Sequence, residues 1–239
     1  MNLNQYYQDI FNSSSIIMNE SLRRDTELAK IHFFVEDLLI WYDILKTRGE
    51  AVILKYAASE LQLSALSLVS GLYRQSFTSL RLALELSLSA VFFSTNELDF
   101  REWERGTRDI YWNQLVSTDD NDLGIFSKRW AKGFFPELTN HVKTYNTLAR
   151  DTYRSLSEFV HVNAYTWEVN KAKLVFEEKL FNQWIDNFSN YSQIISFALC
   201  LRFMKHLDSS SINCLEAHLH EFVGHITEVR KFLGWPVEE

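Results

Sequence analysis

Leu72-Tyr-Arg-Gln-Ser-Phe-Thr-Ser-Leu-Arg-Leu-Ala-Leu-Glu-Leu-Ser-Leu-Ser-Ala-Val-Phe-Phe-Ser-Thr95 is apolar almost all the way round when wound into a helix, and its exceptions decide the fold. Arg74, Thr78, Arg81, Glu85 and Ser89 recur at steps of three and four, so a 3.6-residue turn gathers them into one polar stripe. A helix with that pattern belongs at the centre of a bundle, its stripe facing one partner. Buried charge is costly unless paired, so Arg81 and Glu85 are expected to satisfy each other or a polar group on a neighbouring helix. In a second reading the same stripe orients Arg154 or His161 from behind.

Outward from that helix the same period continues. Gly71 separates it from a helix expected over 50–70. Before that, Leu28, Ile31, Val35, Leu38, Leu39, Tyr42 and Leu45 predict a helix over 23–46, with Gly49 where a C-terminal cap belongs. A short amphipathic segment covers 6–18. In the other direction, 100–116 reads as one aromatic helix carrying Trp103, Tyr111 and Trp112, closed by a polar turn at 118–122. A long helix over 180–207 and a final one from the serines at 209–211 to about Phe232, ahead of Gly234 and Pro236, complete the pattern. Between 165 and 178, β-branched and aromatic residues flank a polar turn, and a small β-hairpin is expected there. Seven glycines, two prolines and no linker-like stretch argue for a single all-α domain of about seven to nine helices.

Composition bounds the function. A formal charge of −7 speaks against coating long duplex nucleic acid, though not against a local basic pocket. The first residues lack the pattern of a signal peptide. The most apolar run, 82–93, is interrupted by Glu85, Ser87 and Ser89, so no membrane span is expected. Cys200 and Cys214 fit no disulfide framework, and a reducing cytoplasm is the simplest setting.

Chemistry concentrates in 145–165, expected as one helix. Tyr145, Leu148, Ala149, Thr152, Tyr153, Leu156, Phe159 and Val160 gather on one side, and Arg150, Asp151, Arg154, Ser157, Glu158 and His161 on the other. Seven positions turn a helix through about 700°, so Arg154 and His161 project from nearly the same face, roughly 10 Å apart along the axis. Histidine can move protons near neutral pH and a guanidinium can stabilise an oxyanion on phosphorus, a pair suited to phosphodiester chemistry. Ser157 and Glu158 share that face as supporting groups. A second candidate is the cluster Lys128, Arg129 and Lys132 around Trp130, the composition of a single-stranded RNA contact, with cations for phosphate and a ring for stacking. An amphipathic helix that buries Trp130, Phe134 and Phe135 explains the same residues.

A metal is not expected. His220 and His225 are one residue too far apart for a zincin pair. Cys214, His218, Glu221 and His225 share a face, but no cluster elsewhere supplies further ligands, so these read as surface or interface histidines. With no phosphate-cradling glycine loop and no nucleophile elbow, no cofactor is expected either.

The Arg154-to-His161 spacing resembles the R-x(4-6)-H motif of the HEPN superfamily. The run from Gly71 to Glu85 followed by Tyr153-Arg-Ser-Leu-Ser-Glu-Phe-Val-His161 looks like a HEPN-like branch of bacterial proteins. The likeness covers 50–165, leaving 1–49 as an N-terminal helical extension and 166–239 as a C-terminal hairpin and helices. It implies a HEPN-like bundle with extra helices and a homodimer in which two such helices form one cleft. It also implies a metal-independent endoribonuclease, of toxin–antitoxin or phage-defence type, with a neutralising partner protein and RNA as substrate. By that resemblance Arg154 stabilises the phosphorane and His161 acts as acid or base. Ser155 stands where active members often carry Asn, Asp or His. The alternative is therefore a catalytically inactive HEPN-like module that binds nucleotide, RNA or a partner protein.

Overall fold

A computed structural model describes residues 2–119, 124–161 and 174–237. The stripe-bearing segment is a helix over Tyr73–Phe93, here α4. It follows α1 (Leu3–Ser21), α2 (Asp25–Leu45) and α3 (Val52–Val69). After it come α5 (Glu97–Glu104), α6 (Trp112–Leu115), α7 (Lys128–Phe134), α8 (Val142–Val160), α9 (Glu178–Phe203), α10 (Ser209–Cys214), α11 (Glu216–Val223) and α12 (Thr227–Leu233). No strand occurs among the described residues, and the protein is all-α. Most of the expected hairpin falls on 162–173, outside the described residues; of the rest, 174–177 form no strand and Glu178 already opens α9.

Helix α4 lies where its pattern puts it. Leu80, Ala83, Leu84, Leu88 and Val91 are fully buried, and α3, α8 and α9 pack around it, with α2 on the outer side of α3. Hydroxyls tie these helices together inside the core. Trp184 Nε1 donates to Ser64 Oγ (3.1 Å), Ser64 Oγ donates to the Ser76 carbonyl (2.6 Å), and the hydroxyls of Ser87 and Tyr191 share a hydrogen bond at 3.0 Å. Helices α3 and α4 have the length and apolar composition of membrane spans. Most of α4, however, is covered by protein, as a core helix requires.

Gly71 makes the turn between α3 and α4 with φ +77°, a conformation that favours glycine, and a Cβ there would sit 2.6 Å from Ile17 Cδ1 and push that side chain aside. Helix α1 is tied to this turn by Ser14 Oγ, which donates to the Ser70 carbonyl at 3.1 Å. Twelve helices are found among the described residues because two expected helices are broken. The 100–116 segment divides at Gly106 (φ +70°), and Arg108 turns back to pair with Asp99 at 3.0 Å. The final segment starts with Asp208 accepting the Ser211 N–H at 2.7 Å, then breaks at Leu215 and again at Gly224. The helix expected over 145–165 ends at Val160: His161 is its cap, with ψ 105°, and still donates its N–H to the Ser157 carbonyl (3.0 Å).

Candidate functional site

Helix α8 is strongly two-sided. Val142, Tyr145, Asn146, Ala149, Thr152, Leu156 and Phe159 are buried, while Arg150, Asp151, Arg154, Glu158 and the capping His161 are exposed. Three parallel aromatic stacks fasten the inner side to three different helices. Tyr145 lies on Phe197 of α9 (centroids 3.8 Å), Tyr153 on Trp112 of α6 (3.9 Å) and Phe159 on Phe77 of α4 (3.8 Å). Each offers more than area burial alone, by about 0.5–1.5 kcal/mol.

The polar stripe of α4 is directed at this helix. Arg74 donates to the carbonyls of Phe159 (3.1 Å) and Val160 (3.4 Å), capping the C-terminus where cations are favoured and fixing the backbone beside His161. Arg81 pairs with Glu85 at 3.2 Å, donates to the Tyr153 hydroxyl at 2.5 Å and lies 4.5 Å from that ring's centroid. Burial, and then the Glu85 carboxylate, raise the Tyr153 pKa, so the phenol is neutral when it accepts from Arg81. Arg81 and Glu85 therefore make the internal pair that the stripe called for, and their bonds go to Tyr153 rather than to Arg154 or His161.

The remaining polar residues divide by role. Arg150, expected on the open face, is anchored: it donates to Asn146 Oδ1 (3.0 Å) and to the Val116 carbonyl (2.7 Å), which Asn146 also engages at 2.8 Å. Ser157 turns its hydroxyl back to the Tyr153 carbonyl at 2.6 Å. Glu158 is exposed. Arg154 forms no ion pair with Glu158 and no hydrogen bond to a described residue, and its guanidinium stands in solvent. The outer face thus presents Arg154 and, about two turns further, His161, held by a rigid helix at both ends and along its back.

On α7, Lys128, Arg129 and Lys132 are exposed, but Trp130 is only 4% exposed and packs on Phe134. The ring cannot stack on a base without leaving the core, so the amphipathic-helix reading describes this cluster. No His, Cys, Asp and Glu cluster of ligating geometry occurs among the described residues. Cys214 is exposed, whereas His218, expected at the surface or an interface, is 3% exposed between Phe34, Trp41 and Phe222 with its Nδ1 2.9 Å from Asp37.

Two groupings had no clear signal in the sequence. At the N-terminal end of α8, His141 meets Glu228 at 3.0 Å and the Tyr145 hydroxyl meets His225 Nε2 at 3.2 Å. Burial pushes the Tyr145 pKa up to about 12. Burial and then His141 pull that of His225 down. At the other end of the bundle Arg48 and Arg202 converge on Ser94. A basic residue inside the apolar run of α9 was the available sign of the second grouping.

Fold and site together define an all-helical protein with one clamped helix whose outer face carries an arginine and a histidine. No family model, no curated protein and no solved structure matches the chain.

Proposed function

We propose that the chain is a metal-independent endoribonuclease of HEPN type that acts as a homodimer, a toxin or phage-defence effector. The observation that carries the reading is the exposure of Arg154 and His161 on the outer face of a helix whose inner face is fastened to three other helices. An isologous dimer through this face would set two arginines and two histidines about one axis. In that cleft His161 transfers a proton to or from the 2′-hydroxyl or the leaving oxygen, and Arg154 bears the charge that develops on phosphorus. With Trp130 in the core, base stacking has no partner in the α7 cluster. The lysines there contribute charge alone, and weak sequence preference is expected.

The test is cleavage of single-stranded cellular RNA by purified protein with chelator present, and light scattering for the dimer. His161→Ala should lose about 100-fold or more of the rate. Arg154→Lys should fail as well, because an ammonium keeps the charge without the planar fork. Wild-type protein that cuts no RNA, and whose expression is as harmless as that of His161→Ala, refutes the enzyme and leaves a binding module.

A further inference from the structure

The end of α4 remote from His161 brings two arginines far apart in sequence onto one backbone carbonyl. Arg74, in the first turn of α4, touches the end of α8, whereas Ser94 directly follows the last turn, roughly 30 Å away along the axis. Arg48, just beyond α2, donates Nη2 to the Ser94 carbonyl at 2.7 Å. Arg202, in the last turn of α9, donates Nε to the Ser94 hydroxyl at 2.7 Å and Nη2 to the same carbonyl at 3.4 Å. Two guanidinium groups thus share one neutral acceptor. Among the described residues the carboxylate bonded to either is Glu50, which accepts Arg48 Nε at 2.5 Å.

Arg202 is only 8% exposed, with its guanidinium carbon 4.1 Å from the Phe134 ring centroid and 4.9 Å from that of Phe203. Burial, and then repulsion from Arg48, bring its pKa down to about 10, so it stays charged at neutral pH. Glu50 acts on Arg202 as well and offsets part of this cost, but one carboxylate serves two cations, and an anion lying between the two forks would relieve both burial and repulsion. Space for one exists. A cavity of about 340 Å³ opens between the ends of α2, α9 and α10, lined by Thr47, Arg48, Arg202, Phe203, His206 and Ser211. That volume lies in the range of small-molecule sites. Asp208 also lines it, its carboxylate accepting the Ser211 N–H as a helix cap and remaining charged. The Nη1 group of each arginine has no bond to a described residue, so two planar donor forks remain partly unspent beside two hydroxyls and an imidazole.

We infer that this cavity binds the phosphate group of a small phosphorylated compound, gripped by Arg48 and Arg202 with His206, Thr47 and Ser211 at its rim. The site is independent of the α8 face, and RNA cleavage is not required for it.

Calorimetry and thermal melting of the purified full chain test it, with inorganic phosphate and adenosine monophosphate as probes and chloride at matched ionic strength as control. Saturable binding and a raised Tm are expected with at least one phosphate probe and not with chloride. Tighter binding of the nucleotide assigns a nucleotide site, and equal affinity assigns the phosphate alone; both uphold the inference. Arg202→Lys should weaken binding about tenfold or more by losing the fork. Because a substitution at buried Arg202 also risks the fold, Thr47→Asp at the exposed rim supplies a second variant. It should repel the anion and weaken binding about tenfold without lowering the ligand-free Tm, since a carboxylate beside the two arginines does not destabilise them. His161→Ala should bind phosphate as wild type does. No saturable binding of either probe, or wild-type affinity in Thr47→Asp, overturns the inference.

Discussion

Tyr153→Phe removes one oxygen from the junction of α4 and α8, and its cost can be worked from the contacts. The substitution keeps the stack on Trp112 and the arginine over the ring, but deletes the acceptor for Arg81 Nη2. A hydrogen bond to a charged group contributes about 1.5–3 kcal/mol. Arg81 retains Glu85 and its side chain is 18% exposed, so water recovers part of the loss; about 1–2 kcal/mol is expected. In a chain of this length that corresponds to a fall in Tm of roughly 2–8 °C. Chemical denaturation of Tyr153→Phe, Arg81→Met and the double variant provides the assay. In the Arg81→Met background the hydroxyl has lost its donor, so removing it should cost under about 0.5 kcal/mol. Equal costs in both backgrounds would show that the hydroxyl and the guanidinium do not interact, and the account of the α4 stripe as the clamp of α8 would fall.

Arg154→Lys and His161→Ala change exposed side chains and should alter stability by no more than about 0.5 kcal/mol, measured by the same denaturation. Gly71→Ala should destabilise by more than about 1 kcal/mol, since it combines φ +77° with a clash against Ile17; an unchanged Tm would contradict the turn geometry. The lowered pKa of His225 means that the unfolded chain binds its proton more readily than the folded one. Stability from this residue is therefore complete above its ordinary value of 6.5 and is lost as pH falls from there through the lower folded value. Thermal melts of wild type and His225→Gln between pH 7.5 and pH 5 should diverge in slope, with the variant less sensitive to acid.

Both faces of α8 were legible because burial follows a 3.6-residue period, and every residue from Tyr145 to Val160 assigned inward is buried or half-buried. The same reasoning carried 100–116 and 209–232 through as single helices, since one glycine costs a helix only about 1 kcal/mol and apolar spacing hides it. What breaks the first is Gly106 at positive φ with the Arg108–Asp99 pair holding the chain turned back. His218 reads in the sequence as a surface or interface histidine, and it is buried. Its neighbours Leu215, Leu219 and Phe222 lie on the inner side of α11, and Asp37, far off in sequence, supplies the polar partner. Arg48 and Arg202 are separated in the same way. No local pattern places them together, and only the packing of α2 and α9 against the end of α4 does so.

The two kinds of arginine on this molecule make the proposed chemistry separable from its support. Arg81 commits its Nη2 to Glu85 and Tyr153 inside the bundle, so its loss should lower Tm and any effect on cleavage should follow from movement of α8. Arg154 has no described partner, so its loss should leave Tm alone and act on the reaction directly. Measured below the melting range, Tyr153→Phe is therefore expected to retain most cleavage while Arg154→Lys retains little. The reverse order would place the chemistry at the Arg81, Glu85 and Tyr153 junction, whose side chains are partly open to solvent, and would reduce Arg154 to a surface charge.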